Sequence, residues 1–412
     1  MMKIEKKVLQ KSITLVTMTR ILLATEIVGD VGALLTPMLM NGKSPLALYI
    51  HFPFCSKKCH YCSFYTIPYN SESVNLYCNA ILQEGLQKLS TIKDTHFIDT
   101  VFLGGGTPSL IPPHYLHNII QTLAPHAQEI TLEANPEDLS EVYLRELLLT
   151  AVNRISIGAQ TFHDPLLKAL GRIHSSAASI DAVHRCYEHG YNNISIDLIY
   201  GLPTQSLADF IADLHQALTL PISHISLYNL TLDPHTSFYK HRRILASSIA
   251  NDDILAAMSL SAEELLTSRG FSRYELASYA KPQAQSKHNL YYWTDKPFLG
   301  LGVSASQYMH KVRSKNLSRI SQYLRAVRKN LPVHESTESL PENERIKEAL
   351  ALRLRLTEGA RWKDFPAPLM ESLASLPLIK ELFDSNNEFL FLNKQGRLFH
   401  DTIAEEIMNI SF

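Results

Sequence analysis

From residue 46 onward the chain alternates short apolar runs, rich in β-branched and aromatic residues, with longer stretches whose apolar positions recur at helical spacing. The short runs predict strands at 46–52 (LALYIHF), 99–105 (DTVFLGG), 129–135 (EITLEAN), 154–160 (RISIGAQ), 193–201 (NISIDLIYG) and 224–230 (HISLYNL). The longer ones predict helices between them: SVNLYCNAILQEGLQKL, LSEVYLRELLLT, SSAASIDAVHRCYEHG and LADFIADLHQAL, the third closing on a glycine suited to a C-cap. Six consecutive strand-helix units predict an α/β fold, a partial (β/α)6 TIM-like barrel around a parallel sheet. A dinucleotide fold is disfavoured, because no GxGxxG follows the first strand.

Past residue 310 the pattern changes. ENERIKEALALRLRL reads as an amphipathic helix, PLMESLASLPLIKELF as two short ones, FLFLNKQGRLFH as a hairpin turning at NKQG, and DTIAEEIMNI as a closing helix. The expected organisation is a barrel over 46–309 and a small helical, winged-helix-like domain over 310–412. That domain lacks a basic recognition helix, so it reads as a packing or partner-binding module. Residues 1–45 are expected to be an extension outside a core that begins near Met40. Lys3, Lys6, Lys7 and Lys11 ahead of SITLVTMT imitate a signal peptide, but Arg20, Glu26 and Asp30 interrupt the apolar run. The uncharged stretch 31–42 is far short of a bilayer span.

With 412 residues, 45% hydrophobic and 19% charged, and a net charge of -1, the chain has an ordinary globular composition and no basic stripe for nucleic acid. A small-molecule or protein partner is expected instead. Three of the five cysteines fall within residues 55–62, which points to a metal held in a reducing compartment and not to a disulfide scaffold. Cys78 and Cys186 stand alone and read as small buried hydrophobes.

The cluster is Cys55-Ser-Lys-Lys-Cys59-His-Tyr-Cys62, directly after the first strand. Thiolates suit iron-sulfur clusters or zinc; a structural zinc ion needs a fourth ligand, and His60 would have to fold back between two ligands to supply it. Spacing therefore favours a cluster with one open position, with zinc as the lesser reading. Gly104, Gly105 and Gly106 allow the backbone to approach a ligand, although a lone GGG is more often a mere turn. Glu133 suits an ammonium, Arg172 a carboxylate, and Gln160 and Asp197 ribose hydroxyls. Each alone is equally a surface or capping residue. Their common position at the carboxyl ends of strands is what argues for a site.

Seven segments in order, LYIHFPFC (48–55), GGGTPS (104–109), LEANPE (132–137), RISIGAQTF (154–162), LGRIH (170–174), IDLIYGLP (196–203) and HNLYYW (288–293), resemble the radical S-adenosylmethionine (SAM) superfamily in its oxygen-independent coproporphyrinogen-oxidase-like branch. The resemblance implies a [4Fe-4S] cluster on Cys55, Cys59 and Cys62, with SAM on the open iron. It also implies Tyr49 beside the cofactor methionine, Gly105, Gly106, Thr107, Glu133, Gln160, Arg172 and Asp197 around the rest of it, and Tyr61 shielding the cluster. True oxidases of this branch resemble CxxxCxxCxC, and here Phe64 stands at the last position. The three-cysteine form ending C-x-F, the HNxxYW register of His288, Asn289, Tyr292 and Trp293, and YELASYA (274–280) resemble the HemW-type haem chaperones. That likeness implies a cytoplasmic protein that binds haem through His288, Asn289 and Tyr292, with His288 as iron ligand. It would pass haem to an acceptor protein, through which any membrane contact would be made. The alternatives are an oxidase that cleaves SAM to a 5'-deoxyadenosyl radical and decarboxylates coproporphyrinogen III, and, for His288, a loop-capping role. One departure is GLGVSAS (300–306), with Val303 and Ser304 where the family is richer in small residues.

Overall fold

The structure is a computed structural model that describes residues 42–376 and 381–412. Residues 1–41 of the expected 1–45 extension, and residues 377–380 within the segment expected to form the second short helix, lie outside the described residues.

Central strands of a parallel sheet are covered on both faces, so they read as near-continuous apolar runs. The six runs form β1 (Ser44–Phe52), β2 (His96–Gly105), β3 (Glu129–Ala134), β4 (Arg154–Gln160), β5 (Ile194–Tyr200) and β6 (His224–Asn229), parallel and adjacent in that order. The crossovers carry α1 (Ser71–Ile92), α2 (Pro113–Leu123), α3 (Glu141–Leu147), α4 (Asp164–Leu170), α5 (Ser176–Glu188) and α6 (Leu207–Leu218). Side-chain caps start α1, α3, α5 and α6: Asn70 accepts from the Ser73 N–H, for example, and Ser206 with Asp209 forms a reciprocal capping box. After α7 (Asp252–Ser268), the hairpin of β7 (Ser272–Glu275) and β8 (Ser278–Ala280) pairs antiparallel with β6. Cys78 and Cys186 are buried in the core between sheet and helices.

The other edge departs from the expected boundary at 309. Following α8 (Lys287–Trp293), β9 (Phe298–Leu301) joins β1 in parallel, and β10 (Ser306–Met309), β11 (Val312–Asn316) and β12 (His334–Ser339) extend the same sheet antiparallel to twelve strands. Tyr323, Ala326 and Val327 of α9 (Ile320–Arg328) pack into the main core. A separate apolar core begins with α10 (Glu342–Arg353) and is completed by α11 (Ala367–Ser375), β13 (Phe383–Ser385), β14 (Phe389–Leu392) and α12 (His400–Asn409). The hairpin is β13 to β14, one element earlier than expected. Asn386 Oδ1 accepts from the Glu388 and Phe389 N–H groups and forms that turn, whereas NKQG runs into a 3-10 turn at 396–399. Among the described residues no helix is long and apolar enough to cross a membrane.

One buried carboxylate ties the two ends of the barrel unit together. Glu84 on α1, 2% exposed, accepts from Gly302 N (2.9 Å), Asn316 Nδ2 (2.7 Å) and Tyr323 Oη (2.6 Å), and pairs with Lys88 Nζ at 2.8 Å. Glu84→Ala would remove the counter-charge of Lys88 and strand the Gly302 N–H and the Tyr323 hydroxyl, so it should cost about 3–5 kcal/mol in denaturant unfolding. A loss below about 1 kcal/mol would contradict this role.

Candidate functional site

The carboxyl ends of the parallel strands open into a cavity of about 940 Å³. Its floor is set by the loop after β2. Gly106 N–H donates to Phe52 O (2.7 Å) and Thr107 N–H to Phe54 O (2.8 Å), drawing this loop against the end of β1. A Cβ at Gly106 would lie 2.7 Å from Phe54 O and 2.8 Å from Phe52 O. Gly105 sits at φ +111°, where a Cβ would be 2.4 Å from His51 Nδ1. Only glycine fits either place.

The cysteine loop leaves β1 and returns beside it, with Ile67 N–H donating to Pro53 O (2.7 Å) and Tyr69 N–H to Cys55 O (3.1 Å). His51 Nε2 holds Tyr65 O at 3.2 Å, so its Nδ1 accepts from Tyr49 Oη at 3.0 Å; burial pushes this imidazole down to about 4. Cys55, Cys59 and Cys62 all face the cavity. Cys55 Sγ accepts from Thr107 Oγ1 and Cys59 Sγ from Arg172 Nη1, both at 3.4 Å. Burial, opposed by the Thr107 hydroxyl, pushes the Cys55 thiol up to about 11, and burial also raises that of Cys62. Thiolates here need cationic charge beside them, as a metal centre supplies. His60 is turned away: its Nδ1 donates to Ala169 O (2.9 Å) and its ring covers Gly171.

Arg172 spans the cavity wall. Besides Cys59, it donates through Nη2 to Asn135 Oδ1 (2.6 Å) and Gly158 O (2.9 Å), while its buried Nε has no partner. Glu133 accepts from Gly105 N–H at 3.1 Å, and burial with the nearby Asp197 raises its carboxyl to about 7. Asp197 accepts from Ser156 Oγ at 3.1 Å and is itself raised by burial. Gln160 lies at φ +68°, a left-handed backbone that costs a non-glycine residue about 1–3 kcal/mol and concentrates at functional sites.

Cys55, Cys59, Cys62, Tyr61, Gly105, Gly106, Thr107, Glu133, Gln160, Arg172 and Asp197 thus converge on one cavity. Tyr49 stands behind that wall, its ring stacked on Phe102. The haem-assigned residues lie elsewhere. His288 is wholly buried, with Nδ1 bonded to Thr100 Oγ1 (2.9 Å) and Nε2 to Tyr292 Oη (2.8 Å); burial holds it neutral, down to about 3. As placed, it offers no free lone pair. Asn289 lies in the first turn capped by Ser286, and Tyr292 packs edge-on against Phe298. Two sets of lining residues were not anticipated. Asn135 follows the carboxylate singled out in LEANPE by two positions, a signal that was available. Tyr228, Arg355, Arg397 and Phe399 come from elements that carry no motif.

A curled parallel sheet with three cysteines on the loop after its first strand defines the class: residues 49–217 match the Radical SAM superfamily. The fold is that of coproporphyrinogen III oxidase (HemN) from Escherichia coli, at 22% identity and a TM-score of 0.76 over 89% of this chain and 91% of that one. Within the class, the heme chaperone HemW of Lactococcus lactis is 34% identical over 90% of this chain and 97% of its own length, and that of Synechocystis 34% over 89% and 92%. The chain belongs to the HemW heme chaperone family.

Because Gly106 has no room for a Cβ, Gly106→Ala should force the β1 and β2 ends apart. It should cost about 1–3 kcal/mol and expose the 56–66 loop to limited proteolysis. Wild-type stability and cleavage rate would rule this out.

Proposed function

We propose that this chain holds a [4Fe-4S] cluster on Cys55, Cys59 and Cys62, binds SAM beside it, and carries haem to an acceptor protein in the cytoplasm. The observation that supports this most is the convergence of three thiols, the Gly105–Thr107 backbone and the Glu133 carboxylate on one cavity. With His60 turned away, the thiols match separate irons of a cluster better than one zinc ion. Such a cluster, when bound, supplies an open iron for SAM and an electron for its reductive cleavage.

The chain's own residues do the positioning. Glu133 would hold the SAM ammonium, and the Arg172 guanidinium, braced by Asn135, would hold its carboxylate and sit over Cys59. Gln160 and Asp197 would take ribose hydroxyls, and Tyr61 would keep water from the cluster by packing among Leu166, Leu170 and Phe238. The relatives at about a third identity are named for haem, which supports haem as cargo. Phe64, in place of a fourth cysteine, separates the chain from the oxidase pattern.

Anaerobically reconstituted protein should hold about four irons per chain, lost when Cys55, Cys59 and Cys62 are replaced by alanine. It should bind haem and form no protoporphyrinogen IX from coproporphyrinogen III. One zinc without iron would sink the cluster; cysteine-dependent turnover of coproporphyrinogen would install the oxidase.

A second test uses pH. Glu133, raised to about 7, takes up a proton as pH falls through that value, and the neutral acid cannot pair with an ammonium. SAM binding should therefore release a proton below about 7, and its affinity should fall on the acid side. In Glu133→Gln, binding should be weaker and its pH dependence flat. An unchanged acid-side profile in that variant would remove Glu133 from the ammonium site.

A further inference from the structure

The residues assigned to cluster and SAM account for one end of the cavity. The other end is walled by the C-terminal unit and has a different chemistry. Arg397 and Phe399, from the 3-10 turn that replaces the expected hairpin, face Tyr228 of β6, Leu276 of the β7–β8 turn and Arg355 just after α10. Phe399 is 51% exposed and Tyr228 47%, and Phe64 on the cysteine loop, which also lines the cavity, is 60% exposed. Aromatic surface left open inside a cavity suits a flat apolar ligand.

The cations beside that surface are only partly used. Arg397 is anchored by Glu263 at 2.6 Å and donates to Leu392 O, yet its buried Nε has no partner. Arg355 lies over the Trp293 ring at 4.2 Å and reaches Glu275 only at 3.6 Å; its buried Nε is also unmatched. The Nε atoms face protein and take no part, but Arg355, held in place with a reach of 3.6 Å to Glu275, keeps a guanidinium edge on the cavity suited to a carboxylate, with Arg397 beside it. On this wall His400 Nε2 is committed to Ala351 O at 3.0 Å.

Resting on the haem-cargo reading above, we propose that haem is seated against the C-terminal wall, its ring between Tyr228, Leu276 and Phe399 and its propionates on Arg355 and Arg397. The seat grips ring and carboxylates, not iron. It therefore places the cargo away from His288, in the same cavity as the proposed cofactor.

Equilibrium titration of the reconstituted full chain tests this with three probes: haem, metal-free protoporphyrin IX, and haem dimethyl ester. Protoporphyrin should bind within about threefold of haem, and the ester about tenfold or more weakly, since it loses charge-assisted hydrogen bonds. Arg355→Gln, Arg397→Gln and Phe399→Ala should each weaken haem by about tenfold with iron content unchanged. Arg397 also tethers the C-terminal unit to Glu263, so if its variant misfolds the other two decide. Equal affinity for haem and its ester, or wild-type affinity in Arg355→Gln and Phe399→Ala, would overturn the seat while leaving the cargo reading intact. Haem loss in His288→Ala with retention in those variants would do the same. Failure of the wild-type chain to bind haem at all would instead defeat the cargo reading, and the seat with it.

Discussion

The site depends on a close approach of two backbones at the centre of the sheet. The N–H groups of Gly106 and Thr107 bond to the Phe52 and Phe54 carbonyls, and neither glycine at 105 or 106 has space for a Cβ. Three consequences follow from that contact. The Thr107 hydroxyl reaches Cys55 Sγ, the Gly105 N–H is left pointing at Glu133, and the β1 end is fixed where the cysteine loop departs. A side chain at 105 or 106 would separate these groups together, because each is tied to the same turn. Behind it, His51 and Tyr77 brace β1 in turn: Tyr77 Oη donates to His51 O and accepts from Val303 N–H, which carries the constraint to the loop after β9.

Charge at the cavity is not paired off within the chain. Glu133 and Asp197 are carboxylates raised by burial, Glu133 also by the nearby Asp197, and Arg172 is directed at sulfur, an amide and a carbonyl instead of at either of them. A protein that needed these groups for stability alone would pair them or replace them with apolar side chains. Kept apart, Glu133 and Arg172 are free to take the opposite charges of the amino-acid end of the proposed cofactor. The strained backbone at Gln160 and the irregular β4–β5 register beside it belong to the same economy of pre-organisation.

How much of this was legible follows from which signals are local. The six parallel strands were readable because burial on both faces leaves long apolar runs, and the strand-end residues Glu133, Gln160 and Asp197 because barrel topology brings such ends together. The sheet edge was not. Strands β11 and β12 read VRSKN and HESTES, polar sequences that pair only because β9 and β10 already present an edge, so the unit runs past 309 to Ser339. Leu354 and Ala360 look like any helix and turn, and only the folded core shows them joining Leu390 and Ile407 in a separate unit. Arg355, Arg397 and Phe399 are distant in sequence from every motif, and their meeting with Tyr228 is tertiary.

The HNLYYW segment shows the complementary limit, in which a motif is real but its orientation is not written in it. His288 and Tyr292 are four apart on α8, hence on one face, and that face turns inward. The helix start is held from across the barrel: Glu129, the first residue of β3, accepts from Lys287 N–H at 3.0 Å and His288 N–H at 2.9 Å, offering a carboxylate to exposed helix N–H groups. His288 then bonds Thr100 on β2, Phe102 lies against its ring, and Tyr292 caps its other nitrogen. A histidine with both nitrogens satisfied and charge-bearing strands on either side closes the base of a barrel, and the same residue types at the same spacing would serve equally to bind iron if the helix were turned outward. The lone pairs decide between the two, and here they are occupied. What the motif secures is therefore the placement of α8, and through Trp293 beneath the Arg355 guanidinium it secures the far wall of the cavity as well.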